Sequence, residues 1–146
     1  MVTNWKRILA GLIFAYLLGQ AATFLLPTFG SDGGATESEI SSYVTQLFAA
    51  EVIVSFAAFV VGGFIARRGF VVPALIYVGL AGVWSTYSGA KGGMIAAEEM
   101  TGYSVPLEDV ITESLGHAVS MLLISMTVAA VAATVGMKLS HILAAE

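Results

Sequence analysis

The chain has 146 residues, of which 58% are apolar and only 11% are charged. Soluble domains carry roughly 25% charged residues, so this chain has too little polar surface to cover a water-soluble globule. The absence of cysteine excludes disulfide exchange, thiolate catalysis and cysteine-ligated metals, and no basic tract suggests a nucleic-acid partner.

The first apolar block covers residues 8–27 and is interrupted only by Gln20. A bilayer core needs about 20 apolar residues in helical conformation, and this block has that length. The preceding Asn4-Trp5-Lys6-Arg7 resembles the basic region of a signal peptide. The apolar run continues to Leu26, however, which is longer than the usual signal-peptide core. We therefore predict a retained membrane anchor.

The second and third apolar blocks cover residues 47–66 and 71–90. Only the four residues 67–70 separate them, which predicts a tight antiparallel hairpin. Thr36 and Glu39 have the spacing of a capping box, so we expect the second helix to begin outside the membrane near Glu37. We expect the third helix to continue to about Met100.

The fourth apolar block covers residues 115–137. Ser104-Val105-Pro106 precedes two acidic residues, Glu108 and Asp109, a pattern typical of a helix start. We therefore predict an all-α membrane protein: a four-helix transmembrane bundle forming a single domain over residues 1–146. Its outer loops are residues 28–46 and 91–114.

The direction of the helices follows from the distribution of charge. Basic residues in short loops remain on the cytoplasmic side of a membrane. One side collects Lys6, Arg7, Arg67, Arg68, Lys138 and His141, whereas Lys91 is the one lysine on the other. That other side collects Asp32, Glu37, Glu39, Glu98, Glu99, Glu108, Asp109 and Glu113. Both termini are therefore predicted to be cytoplasmic, and the multi-pass layout without an organellar presequence indicates a bacterial inner membrane.

Small residues recur at four-residue spacing in every predicted helix. Such rows let helix backbones approach closely in lipid, where apolar burial contributes little to association. The rows are Gly11, Ala15, Gly19 and Thr23; Ala50, Ala58, Gly62 and Ala66; Ala81, Ser85, Gly89, Gly93 and Ala97; and Ser125, Ala129 and Ala133. We expect all four to mediate close packing, and the chain to associate with further copies or with another membrane protein.

Polar side chains inside the apolar blocks define the candidate site. Counted outward from the basic residues at 1.5 Å each, Gln20 lies ~20 Å and Glu51 ~24 Å from the cytoplasmic edge. His117 lies at ~30 Å, and Lys91 and Glu113 at ~34–38 Å. The predicted ion, proton or ligand site therefore consists of Gln20, Glu51, Lys91, Glu113 and His117. A carboxylate at such depth needs a partner, a proton or a wet cavity.

Each of these residues also has a simpler interpretation. Glu51 would be a residue one turn inside a helix N-terminus, stabilised by the helix dipole and reaching towards the headgroups. Glu113 and His117 share a helix face and would hold a proton or supply two ligands to a metal, but two ligands do not make a metal site. Haem ligation by His117 and His141 is excluded within one chain, because they lie ~36 Å apart along one helix.

Three functions are consistent with this pattern. The first is a non-enzymatic structural or accessory component of the membrane, without a cofactor, whose partners are the lipid bilayer and another membrane chain. The alternative is a small proton- or cation-coupled transporter using Glu51. Against it, the inner half of the membrane contains few polar groups, namely Tyr16, Tyr77, Thr127 and Thr134. The third is a membrane enzyme with a metal at Glu113 and His117, although no catalytic constellation is found.

Overall fold

The computed structural model describes residues 2–23, 37–103 and 106–145. These residues are helical apart from short connections, and no strand occurs among them. The four helices are α1 (Val2–Thr23), α2 (Glu37–Ala66), α3 (Val71–Thr101) and α4 (Leu107–Ile142). The predicted all-α fold is thereby confirmed for the described residues.

Three of these helices are long and apolar enough to cross a membrane. The qualifying segments are Thr45–Ala66, Val71–Ala96 and Leu115–Ile142, which correspond to the second, third and fourth predicted spans. α1 does not qualify within the described residues, because Lys6 and Arg7 occupy its first turns and residues 24–27 of the predicted span lie outside the described part. The first predicted span, residues 8–27, therefore stays a prediction.

The end of α3 agrees with the sequence pattern. The described part of α2 begins at Glu37, directly after residues that lie outside the description, so the capping box predicted at Thr36 and Glu39 stays a prediction. α3 continues to Thr101, where Gly102 adopts a left-handed φ of 72° and donates its N–H to the Glu98 carbonyl oxygen at 2.8 Å. This is the usual way in which a glycine terminates a helix.

The connection between α2 and α3 is a tight turn, as predicted. Arg67 closes α2 in the left-handed region, with φ 63°, and donates its N–H to the Gly63 carbonyl oxygen at 2.9 Å. The Arg68 N–H donates to the Ala66 carbonyl oxygen at 2.8 Å, and Gly69 has φ 70°. The Asn4 side chain on α1 donates to the Arg68 carbonyl oxygen at 3.2 Å and so ties α1 to the turn.

The chain divides into two compact units. The first unit comprises Met1–Ala74 and Val128–Glu146, and the second comprises Leu75–Thr127. The first therefore contains α1, α2 and one end each of α3 and α4. The second contains the rest of α3 and α4. The single-domain organisation stays a prediction.

Backbone-to-backbone contacts at glycine hold the first unit together. A Cβ atom added to Gly11 would lie 2.5 Å from the Gly62 carbonyl oxygen, so α1 and α2 touch there. A Cβ added to Gly63 would lie 2.5 Å from the Ala133 carbonyl oxygen, which brings α2 against α4. The buried alanines around these contacts are Ala15, Ala58, Ala66, Ala129, Ala132 and Ala133. Close packing is thereby confirmed for the row members Gly11, Ala15, Ala58, Gly62, Ala66, Ala129 and Ala133. Within the described part of the chain, Gly19 has open space beside it and Ser125 is exposed, while the side chain of Thr23 lies outside that part.

The Phe70 side chain packs beside Gly11 and Gly62, which have no side chains of their own. Its side chain is fully buried, and a Cβ on Gly62 would lie 2.6 Å from the Phe70 Cζ atom. The Phe70 N–H also lies 3.5 Å from the Met137 sulfur on α4. One aromatic ring therefore packs against α1 and α2, while its backbone contacts α4.

The second unit packs differently from the prediction. Gly89 and Gly93 of the α3 row have open space where a Cβ would be, and Ala81 and Ser85 are exposed. The close contact is made instead by Gly82, where a Cβ would lie 2.6 Å from the Leu122 Cδ1 atom on α4. The prediction for this row is therefore wrong within the described residues. A row of small residues lets two helices approach closely, but it does not determine whether another helix lies against that face.

Candidate functional site

Glu51 lies on α2 within the apolar segment Thr45–Ala66 and is exposed on the surface of the chain. It is the one charged residue of that segment. α2 begins at Glu37, so Glu51 lies ~20 Å along the helix from its N-terminus. The favourable effect of the helix dipole is confined to the first turn. The interpretation of Glu51 as a dipole-stabilised residue near a helix start is therefore wrong.

Lys91 and His117 belong to the second unit and are also exposed. Lys91 is the one charged residue of the apolar segment Val71–Ala96 on α3. His117 lies near the start of the apolar segment Leu115–Ile142 on α4. Glu113 is part of α4 one turn before His117, but its side chain lies outside the described residues.

The five predicted site residues are divided between the two units. Gln20 and Glu51 belong to the first, whereas Lys91, Glu113 and His117 belong to the second. A joint site of all five residues stays a prediction. Among the described residues, no group of three or more His, Cys, Asp or Glu side chains is arranged to hold a metal ion. Because the Glu113 side chain lies outside the described residues, a metal site at Glu113 and His117 stays a prediction.

Hydroxyl groups inside the apolar segments donate to their own helices. Thr86 donates to the Gly82 carbonyl oxygen at 2.9 Å, and Ser120 donates to that of Gly116 at 3.0 Å. Thr127 and Thr134 donate in the same way to the carbonyl oxygens four residues earlier. Since each hydroxyl proton is satisfied locally, these residues need no water-filled path beside them.

The turn between α2 and α3 lies outside the predicted site, although it carries exposed polar residues. Arg67 and Arg68 are both exposed there, and Asn4 contacts the Arg68 backbone. The adjacent pair of arginines is the sequence signal for this turn, but the sequence prediction uses basic residues only to orient the helices.

Comparison with protein-family models, curated proteins and solved structures finds no match for this chain.

Proposed function

We propose that the protein is a small multi-pass component of a bacterial inner membrane, without catalytic activity, that acts as a structural or accessory subunit of a membrane complex. This proposal rests on one observation: only a small share of each apolar segment is buried within the chain itself. In an 18-residue apolar stretch of each segment, the share of buried residues is 22% in Thr45–Ala66, 11% in Val71–Ala96 and 17% in Leu115–Ile142. Surfaces this apolar require lipid or another membrane protein around them.

The proposed topology is a four-helix bundle with both termini in the cytoplasm, in which α1 is the fourth span. Support comes from the positions of the exposed basic side chains. Arg67 and Arg68 directly follow the apolar segment of α2, and Lys6 and Arg7 directly precede the apolar part of α1. Lys138 and His141 lie in the last turns of Leu115–Ile142. Basic residues next to short loops favour the cytoplasmic side.

The charge of Glu51 within an apolar segment favours a protein partner over lipid alone. Glu51 is exposed on the chain inside Thr45–Ala66, and charges inside membrane helices are costly, reaching about 2.5–3.5 kcal/mol at the helix centre on insertion scales. A neighbouring chain with a complementary polar group lowers that penalty. The uncovered small residues of α3, such as Gly89, also allow another helix to approach closely.

Cross-linking in intact membranes tests the accessory function. A photo-reactive amino acid at Ser85, which is exposed on α3, is expected to give one discrete adduct to a second chain. The same probe at Ile13, which is 50% exposed on α1, is the control and should label lipid. Native electrophoresis of the complex in mild detergent should then show a fixed stoichiometry. A chain that migrates as a monomer and gives no adduct at Ser85 contradicts the proposal.

The second candidate is proton- or cation-coupled transport through Glu51. It is favoured by one observation, a carboxylate in the apolar segment Thr45–Ala66 far from either helix end. In proteoliposomes carrying an internal pH dye, Glu51→Gln is then expected to abolish proton movement, because glutamine cannot exchange a proton. Glu108→Gln, on an exposed acid outside the apolar segments, is the matched control. Equal proton flux in the native chain, both variants and empty liposomes excludes transport.

A further inference from the structure

Five of the six lysine and arginine residues of the chain lie in the first unit, and all five are exposed. His141 of the same unit is exposed as well. Each of these residues directly borders an apolar helical segment or lies in its last turns. The basic cluster consists of Lys6, Arg7, Arg67, Arg68, Lys138 and His141.

Contacts within the first unit gather these residues at one place. The Asn4 side chain donates to the Arg68 carbonyl oxygen, which brings the start of α1, and with it Lys6, to the turn between α2 and α3. The Phe70 N–H lies 3.5 Å from the Met137 sulfur, which brings the adjoining Lys138 of α4 to the same turn. Three separated stretches of sequence therefore contribute to one basic cluster.

The backbone of Arg67 indicates that its charge has a role. Arg67 adopts φ 63° at the end of α2, a left-handed conformation that favours glycine and is unfavourable for residues with a Cβ atom. Glycine in fact occupies the equivalent position after α3, at Gly102. An arginine in this position gives up some stability and places a guanidinium group on the exposed turn.

Carboxylates of the described residues do not neutralise this cluster. The acidic residue of the first unit nearest to it in sequence within the described residues is Glu51, about four helical turns before the end of α2. That spacing is ~22 Å along the helix, well beyond the reach of an ion pair. Among the residues that the structure describes, no carboxylate of the first unit lies next to the cluster in sequence.

We propose that this basic cluster binds the phosphate groups of anionic phospholipids. Arg67 directly follows the apolar segment Thr45–Ala66, and Lys138 lies in the last turns of Leu115–Ile142, so these cations lie at the depth of lipid headgroups when the helices cross a bilayer. Guanidinium groups bind phosphate through paired hydrogen bonds, and clustered Lys and Arg attract anionic lipid. The proposal depends on membrane insertion but not on the accessory function.

Tryptophan fluorescence provides a local test, because the chain has two tryptophans and one of them, Trp5, adjoins Lys6 and Arg7. The full chain with Trp84→Phe is reconstituted in phosphatidylcholine vesicles, and a small fraction of the lipid is brominated close to the headgroup. Brominated phosphatidylglycerol is expected to quench Trp5 more strongly than brominated phosphatidylcholine. A Trp5→Phe chain, which reports from Trp84 in the second unit, should show no such preference.

Charge variants show whether the cluster causes the preference. Arg67→Gln combined with Arg68→Gln is expected to lower the relative affinity for phosphatidylglycerol by up to about fivefold for each arginine removed. Lys91→Gln, which removes one charge from the second unit, should leave it unchanged. Arg67→Gly should also lower it while unfolding at the same temperature or higher, since glycine tolerates the turn; this separates binding from folding.

Two further results overturn the proposal. The first is equal quenching by both brominated lipids, or a preference that the double arginine variant retains. The second is complete loss of the preference on adding millimolar inorganic phosphate, because this would identify a soluble phosphate as the ligand. Raising the salt concentration alone is expected to weaken the preference gradually, as for any exposed charge interaction.

Discussion

Replacement of Phe70 by alanine is expected to destabilise the first unit by about 3–5 kcal/mol, the usual loss for a buried phenylalanine. The Phe70 ring is fully buried against Gly62 and Gly11, and neither glycine has a side chain that can move into the space. The alanine variant therefore leaves a cavity where α1 and α2 meet. The measurement is a titration from neutral detergent into sodium dodecyl sulfate, followed by circular dichroism.

Phe14→Ala is the matched control for this prediction. Phe14 lies on α1 of the same unit but is 47% exposed, so its removal opens no comparable cavity. Substitutions at exposed positions usually change stability by about 0.5 kcal/mol or less. Equal losses from Phe70→Ala and Phe14→Ala would show that the ring of Phe70 does not hold the helices together.

Gly136→Ala is expected to have the second largest effect, about 1–3 kcal/mol or more. A Cβ atom at Gly136 would overlap the carbonyl oxygen of Val60 and lie 2.9 Å from the Phe64 backbone nitrogen. Because these are backbone atoms of α2, no side-chain rotation relieves the clash, and α2 and α4 must separate. The same detergent titration measures the loss, and Gly63→Ala, which meets the Ala133 carbonyl oxygen at 2.5 Å, should behave alike.

The control for the glycine series is Gly89→Ala on α3, where an added Cβ meets nothing within 4 Å. Alanine is a better helix former than glycine by about 1 kcal/mol, so this variant is expected to be neutral or more stable. The two substitutions make the same chemical change and differ only in the space around it. A stable Gly136→Ala chain would mean that α2 and α4 do not cross at this point.

The sequence predicts the depth of the candidate site residues but not the direction in which their side chains point. Counting residues along a helix gives the depth of Glu51, Lys91 and His117, because the rise per residue is constant. It does not give their direction around the helix axis, and the structure places all three on exposed faces. The chain is already helical at Glu37, and this is what rules out a Glu51 that is stabilised by the dipole of a nearby helix start.

The sequence likewise identifies rows of small residues but not which rows lie at helix contacts. Rows on α1, α2 and α4 identify Gly11, Gly62 and Ala133, all of which lie at helix contacts. Gly63 and Gly136 also lie at helix contacts, but they fall outside the one row predicted for each helix. The longest row, on α3, is uncovered among the described residues. Spacing alone does not distinguish a contact face from an exposed one.

The sequence by itself determined the all-α fold of the described residues, the three apolar segments, the C-terminal ends of α2 and α3 and the start of α4. These properties are local: the length of an apolar run and the residues at its ends are sufficient to specify a helix of a given span. Only the tertiary structure decided that the Phe70 ring packs against Gly11 and Gly62. The same holds for the hydrogen bond from the Asn4 side chain to the Arg68 carbonyl oxygen in the turn between α2 and α3. The helices are apolar on nearly every side, so no face is marked for the interior, and the closest backbone approach selects the contacts instead.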